Sequence, residues 1–253
     1  MFTKAIVRTP GKSFSNGLTS ANLGLPNYEL ALTQHQEYID ALTTCGVEVI
    51  VLPPDENFPD STFVEDTALL TPHCAIITHP GAPSRRGEII DMRNVVNDFY
   101  SNIEEISAPG TIEAGDIMMV GDHYYIGLSE RTNQQGAGQL IQILNGYALS
   151  GSVIQLKDIL HLKTGVSYLE NNNLAACGEL LTSPKFSKFN CIEIPEEESY
   201  AANCVWINDK VLVPKDYPVS KQRILDAGYS ILEVDVSEFR KLDGGLSCLS
   251  LRF

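Results

Sequence analysis

The order strand–strand–helix–strand recurs along this chain, and a recurring unit of that size restricts the fold more than any single motif does. One copy runs through Phe63-Val64-Glu65-Asp66-Thr67-Ala68-Leu69-Leu70, a turn, a strand over 75–78, a loop and a helix. A second runs through Ile112-Glu113-Ala114-Gly115-Asp116-Ile117, a hairpin, the loop Ser129-Glu130-Arg131 and a helix. A third opens at Tyr200-Ala201-Ala202-Asn203-Cys204-Val205 and continues through a hairpin, a helix and a returning strand. Weaker copies start near Asn171 and near Ser247, making about five units with periods of roughly 30–55 residues. Each opens with polar residues just before its first strand. Such an α/β chain is expected to form a closed, radially repeated architecture in which equivalent strand ends face one centre.

Local signals place the elements. Short β-type runs cover 5–7, 47–52, 67–70, 75–78, 117–120, 124–127, 153–156, 203–207, 210–213 and 231–234. Gly121-Asp122 and Asn208-Asp209 supply the positive φ that two tight hairpins need. A helix is predicted over 28–45, capped by Asn27 and closed by Gly46, with Tyr28, Leu32, His35, Ile39 and Leu42 on one face. Others are predicted over 86–100, 133–145 and 220–227, the last closed by Gly228. Glu196-Glu197-Glu198 reads as a loop. No Pro/Gly/Ser tract or charge block divides the chain, so a single domain over 1–253 is expected.

The 18 Lys and Arg against 32 Asp and Glu leave a net charge of −14. Phosphate binding needs clustered Lys and Arg, so this balance argues against a nucleic-acid partner. No run approaches the ~18 apolar residues of a membrane span. The opening Met1-Phe2-Thr3-Lys4 enters Ala5-Ile6-Val7, too short for a signal-peptide core, which points to a reducing cytoplasm. The six cysteines are scattered without a C-x-x-C pair, which gives no zinc ribbon and no redox dithiol. Cys45, Cys74, Cys177, Cys191 and Cys204 lie in or beside apolar runs and read as small buried hydrophobes. Cys248 differs: it follows Asp243-Gly244-Gly245-Leu246-Ser247, where paired glycines let backbone approach a ligand. His35, His73, His79 and His123 show no metal-ligand spacing.

Aligned by repeat, the opening residues are Glu65 with Asp66, Glu113 with Asp116, Asn171 to Asn173, Asn203, and Ser247 with Cys248. His161, in Leu160-His161-Leu162-Lys163-Thr164-Gly165, precedes the copy near Asn171. A neighbouring imidazolium lowers a thiol well below its free value of about 8.5. Carboxylates aimed at one spot repel unless a cation lies between them, and a planar guanidinium offers a fixed fork of N–H donors for that place. A guanidinium carbon is a poor electrophile, so it calls for a thiolate, hydrogen bonds to the tetrahedral adduct, and an acid to protonate the departing amine. These residues suit a cysteine-dependent guanidine hydrolase.

The same residues lie in segments that closely resemble the dimethylarginine dimethylaminohydrolases, the bacterial form especially, within the guanidino-modifying pentein superfamily. The segments are Arg8-Thr9-Pro10, Gly17-Leu18-Thr19-Ser20, Pro59-Asp60-Ser61-Thr62-Phe63-Val64-Glu65-Asp66, Ser84-Arg85-Arg86-Gly87-Glu88 and Ala108-Pro109-Gly110-Thr111-Ile112-Glu113-Ala114-Gly115-Asp116. They continue with Ser129-Glu130-Arg131-Thr132-Asn133, the His161 segment, Glu196 through Cys204, and Asp243 through Cys248. The resemblance implies a five-bladed α/β propeller of ββαβ modules with pseudo-fivefold symmetry, a homodimer with no cofactor and no metal. It implies that Cys248 is the nucleophile and His161 the general acid/base, with Glu113 and Asp66 gripping the guanidinium. Arg85 and Arg131 would bind the substrate α-carboxylate, while Asp60 and the Leu18 carbonyl would hold its α-amino group. Phe63 would pack near the guanidinium, Glu65 would contact the ligand zone, and the Leu242 backbone would line the pocket. The implied reaction forms a covalent thiouronium on Cys248, releases methylamine or dimethylamine, and frees citrulline by hydrolysis.

Other readings use the same residues. An arginine deiminase, a citrulline hydrolase or an amidinotransferase would keep the chemistry and change the substrate; the deiminases and transferases of this superfamily are generally longer. A non-catalytic binding protein resembling the ribosome anti-association factor is a third possibility, and the retained thiol and imidazole together with the −14 charge weigh against it.

Overall fold

A computed structural model describes residues 1–253, which form two compact units: residues 65–164, and residues 1–64 with 165–253. Within residues 65–164 there are two three-stranded sheets. One orders Ala68–Leu70, Ala75–Ile77 and Ile103–Glu105; the other orders Ile117–Val120, His123–Leu128 and Ser150–Gln155. In both, the first two strands pair antiparallel and the middle strand pairs parallel with the third. A parallel return requires a crossover, supplied by the helices Glu88–Asn97 and Gln134–Gly146. Asn133 begins the second helix by accepting the Gly136 N–H at 2.8 Å, satisfying an amide that would otherwise lack a partner. Ile76, Ile112, Ile117, Tyr124, Ile126, Leu140 and Leu144 form the buried core beneath these elements.

The other unit holds three sheets of the same design: Leu251–Arg252, Lys4–Arg8 and Glu48–Leu52; Val166–Tyr168, Asn173–Ala176 and Asn190–Glu193; and Val205–Ile207, Lys210–Pro214 and Ser230–Val234. The copy that starts near Ser247 is completed by the N-terminal strand, because Ala5 and Ile6 pair antiparallel with Arg252 and Leu251. Its crossover is the helix Tyr28–Thr44, where Asn27 accepts the Leu30 N–H at 3.1 Å and Gly46 takes a φ of +79°. Phe14, Tyr38, Leu42, Phe63, Phe239, Leu246 and Leu249 share one core in this unit.

Five sheets with one strand order bear out the α/β reading of repeated ββαβ modules. The expected positive φ at the two hairpins falls on Gly121 and Asn208. The first crossover helix is shorter than 86–100, because Pro83–Arg85 forms a separate tight turn and Gly87 caps the α-helix that begins at Glu88. The helix predicted from Ser220 begins at Pro218, a residue whose locked φ suits a first turn. Glu196–Ala202 is two short 3-10 turns meeting at a kink at Glu198 rather than a loop, and the Glu198 carboxylate accepts the Val219 and Ser220 N–H groups at 3.1 and 2.7 Å.

The copy near Asn171 departs most from expectation. Asn171 and Asn172 do not open a unit: they form the hairpin turn between its first two strands, with φ of +50° and +62°. Residues 161–165 stand directly before Val166–Tyr168, so His161 occupies the opening position of this repeat. Its crossover is also not an α-helix but two short 3-10 turns, Gly178–Thr182 and Pro184–Phe186, because Pro184 has no N–H for a continuing helix. Cys191 is exposed, unlike the other four cysteines read as buried; it lies on the strand Asn190–Glu193, which leaves three of its four side chains uncovered.

Successive repeats are stitched at their opening residues. Within residues 65–164, Asp66 Oδ1 accepts the Gly115 N–H and Asp116 Oδ1 accepts the Leu162 N–H, each at 2.9 Å. In the other unit, Asn203 Oδ1 accepts the Ser247 N–H at 2.9 Å and the Ser167 hydroxyl donates to the Ala202 carbonyl at 2.8 Å. No helix is long and apolar enough to cross a membrane.

Candidate active-site residues

Residues 65–164 gather Asp66, Glu113 and His161 so that their polar atoms lie within 4.8 Å of one another. All three are buried, Glu113 at 1% exposure. Two carboxylates this close are stable only beside positive charge, and His161 provides it: its Nε2 lies 2.9 Å from Glu113 Oε2. Burial on its own would lower the imidazole's pKa. The charges of Asp116 and Asp66 and the hydrogen bond to Glu113 overcome that and hold it at about 9. His161 is therefore an imidazolium at neutral pH. Glu113 Oε1 also accepts the Ala82 N–H at 3.1 Å.

A second cation lies beside the first. Arg85 is buried, with Nη1 2.6 Å from Asp66 Oδ2 and Nη2 2.8 Å from Glu88 Oε2. Burial opposes the Asp66 charge, but Arg85 and then His161 hold its carboxyl below the usual range. Burial likewise opposes charge on Arg85, and Glu88 and Asp66 keep it firmly protonated. Arg85, carried over as an α-carboxylate clamp, thus already has two carboxylates on its guanidinium. Arg131 is more open: its side chain is 24% exposed and its Nη1 lies 3.9 Å from Glu113 Oε1. Glu65 is buried and pairs with Lys163 Nζ at 2.6 Å.

The other unit arranges the remaining candidates. Asp60 Oδ1 accepts the Leu18 N–H at 3.0 Å, and a Cβ on Gly17 would lie 2.8 Å from that oxygen and 3.1 Å from Leu242 Cδ1. Phe63 presses on Gly244, where a Cβ would come within 2.1 Å of its ring, and Asn203 presses on Gly245, where a Cβ would lie 2.6 Å from its side chain. The Phe63 contact explains why a residue without a side chain stands four positions before Cys248. Cys248 is half-buried in the turn Ser247–Leu249, and the Gly245 N–H points at its Sγ from 3.4 Å. The turn is held by Asn203, whose Nδ2 donates to Ser247 Oγ at 3.0 Å, and by Tyr200, whose hydroxyl donates to the Gly244 carbonyl at 2.7 Å. Ser20 is tied to the same segment, its hydroxyl 3.0 Å from Asp243 Oδ2.

Asp66, Arg85, Glu113, Arg131 and His161 thus stand together in one unit, with Glu65 next to Asp66. Leu18, Asp60, Phe63, Leu242 and the Cys248 turn stand together in the other. Sequence reasoning missed Glu88, Lys163, Ser129 and Thr132 as supports of these residues. Only Glu88 carried a local signal, its spacing of three from Arg85. Asp66, Glu113 and His161 could close around a metal only after the imidazole gave up its proton.

Comparison with known proteins identifies the family and the fold. The family model described as N,N dimethylarginine dimethylhydrolase, eukaryotic, matches residues 20–249. The chain is 59% identical to the N(G),N(G)-dimethylarginine dimethylaminohydrolase of Pseudomonas aeruginosa over 100% of both chains. It is 32% identical to the protein of the same name from Streptomyces coelicolor, over 98% of this chain and 96% of that one. A solved structure of the Pseudomonas aeruginosa protein, a cysteine-to-serine mutant complexed with citrulline, superposes with a TM-score of 0.99 over 100% of both chains. The N-terminal domain of ArgZ, a cyanobacterial arginine dihydrolase, shares the fold at 18% identity, with a TM-score of 0.91 over 100% of this chain and 97% of that one.

Proposed function

The chain belongs to the dimethylarginine dimethylaminohydrolase family, and from that premise we propose that it hydrolyses Nω-methylated arginines to citrulline and methylamine or dimethylamine. The observation that carries the reading is the buried set of Asp66, Glu113 and protonated His161. A guanidinium gives up a strongly basic amine, and an acid already protonated at neutral pH is what that departure requires. The citrulline held by the Pseudomonas aeruginosa relative supports citrulline as the product.

In this reading the Cys248 thiolate adds to the guanidinium carbon, while Asp66 and Glu113 accept its N–H groups. The His161 imidazolium gives its proton to the methylated nitrogen, the C–N bond breaks, and the amine departs from a thiouronium on Sγ. The now neutral imidazole takes a proton from water, whose oxygen adds to the same carbon. Collapse of that adduct expels the thiolate and releases the hydroxyl proton, which ends in solution on the strongly basic departed amine, leaving citrulline. Arg131 and Arg85 hold the substrate α-carboxylate; Asp60 and the Leu18 carbonyl hold its α-amino group. Phe63, Glu65 and the Leu242 backbone shape the pocket.

The test incubates the protein separately with asymmetric dimethylarginine, monomethylarginine, arginine and citrulline, assaying citrulline and released amine. Citrulline from the methylated substrates, abolished by Cys248→Ser, is the expected result. Release of ammonia from arginine in preference would replace the substrate and keep the chemistry, whereas inactivity on all four would overturn the reading. The same reading makes the chain a cytoplasmic homodimer, and sedimentation at a mass near 27.8 kDa would refute the dimer.

A further inference from the structure

Ser129 stands where the supports of three candidate residues meet. Its Oγ accepts the Arg131 N–H at 3.0 Å and the Thr132 N–H at 3.2 Å. Thr132 Oγ1 in turn accepts the Glu113 N–H at 3.2 Å. With two N–H groups already aimed at Oγ, the hydroxyl proton is left for Asp116 Oδ2, 2.6 Å away. Asp116 Oδ1 accepts the N–H of Leu162, the residue after His161. Both oxygens of Asp116 therefore accept, as an ionised carboxylate does, and charge-assisted bonds of this kind are the stronger class. The carboxylate is fully buried and tightly packed: a Cβ on Gly127 would lie 3.1 Å from Oδ1 and 3.0 Å from Leu162 Cβ.

We infer that Asp116 and Ser129 are positioning residues of the reaction, a buried carboxylate and a half-buried hydroxyl that set the direction in which His161, Glu113 and Arg131 present their side chains. The inference rests on the function proposed above. It differs from a purely structural role in what it disturbs. Neither side chain enters the reaction as proton donor or clamp, yet each bonds to backbone next to, or belonging to, a residue that does. A misplacement of about 1 Å in an acid or clamp costs on the order of 100-fold in rate. The contact that reports the placement is His161 Nε2 to Glu113 Oε2 at 2.9 Å.

The experiment compares Asp116→Ala, Asp116→Asn and Ser129→Ala for kcat and KM on methylated arginine, with a crystal structure of each. Asn keeps the oxygen that accepts from Leu162, and Ala removes it. For Asp116→Ala we expect kcat to fall about 100-fold with KM within about threefold, and the imidazole to leave Glu113. Asp116→Asn should recover about tenfold of that loss. Ser129→Ala should also raise KM, because it frees the Arg131 amide. A kcat within about threefold of wild type in Asp116→Ala, with the His161–Glu113 contact intact, would overturn the inference; so would an Asn crystal in which the imidazole is displaced from Glu113 as far as in Ala, since activity alone also reports the lost charge. Should the wild type release no citrulline, the proposed function falls instead, and the position of His161 in the Asp116→Ala crystal decides the positioning role separately. If Asp116→Ala does not fold, Ser129→Ala carries the same readouts with less of the core disturbed.

Discussion

Raising the pH from 6.5 to 9 should remove about 3 kcal/mol of stability through His161 alone. The folded chain holds the imidazole at a pKa of about 9, against an ordinary value of 6.5. Because the folded value is the higher one, the contribution is complete below pH 6.5. It is lost as pH rises through 9, where the folded form also gives up its proton. The difference, 9 − 6.5, multiplied by ~1.36 kcal/mol per pH unit, gives that ~3 kcal/mol. The site accounts for the direction: Asp116 and Asp66 lie near, Glu113 is hydrogen-bonded, and all three favour the charged ring over the burial that opposes it. The assay is urea denaturation of wild type and His161→Gln at several pH values across this window. The difference between the two proteins isolates the imidazole from lysines, thiols and termini that titrate in both. Wild type should lose about 3 kcal/mol more than the variant between pH 6.5 and 9. Parallel stability curves would refute the charged imidazole, and with it the argument that the departing amine meets a ready acid.

The packing leads to three further expected outcomes. Arg85→Ala leaves Asp66 and Glu88 buried without their shared cation; denaturation should show a loss of about 3–5 kcal/mol, and a loss below about 1 would mean that water reaches the pair. Gly244→Ala drives a methyl into the Phe63 ring, so stability should fall by about 1–3 kcal/mol and turnover with it, and an active variant with an unchanged melting temperature would contradict the contact. Tyr38→Phe removes the phenol that lies 2.7 Å from the Ser250 hydroxyl, both groups being buried, and leaves that oxygen with Arg252 Nη1 at 2.8 Å. Calorimetry should register about 1 kcal/mol, and no change would show that the Arg252 contact alone satisfies the hydroxyl.

The elements legible in the sequence are those whose cause lies within a few residues. Asn27 caps its helix through an amide three positions away, and Gly121 and Asn208 adopt a turn that their own backbone preferences allow. Where one local pattern served two purposes, reading along the chain failed. Asn171 to Asn173 looked like a polar opening to a repeat, yet asparagine also favours the left-handed conformation of a hairpin turn. Strand pairing decides between the two, joining Leu174 to Tyr168 across that turn and leaving His161 at the opening position. Cys191 sat in an apolar run like the buried cysteines, but whether an edge strand is covered depends on what packs against it.

The candidate site divides in the same way. Cys248, His161, Glu113 and Asp66 could be named from the chain because each stands in a distinctive segment at the start of a repeat. Their ionisation could not be read there. A buried charge is stable only through the groups brought to it, and those groups are distant in sequence: Arg85 lies 19 residues from Asp66, Glu113 48 from His161, and Asp116 46 from Leu162. Repeat pattern, caps and turns are set by short-range preference, and the sequence by itself determined these and the candidates for the reactive groups. Which acid keeps its proton, which arginine is already paired and which aspartate holds another residue's backbone were decided only by tertiary structure, because electrostatic energy depends on distance in space and on the water excluded between the charges.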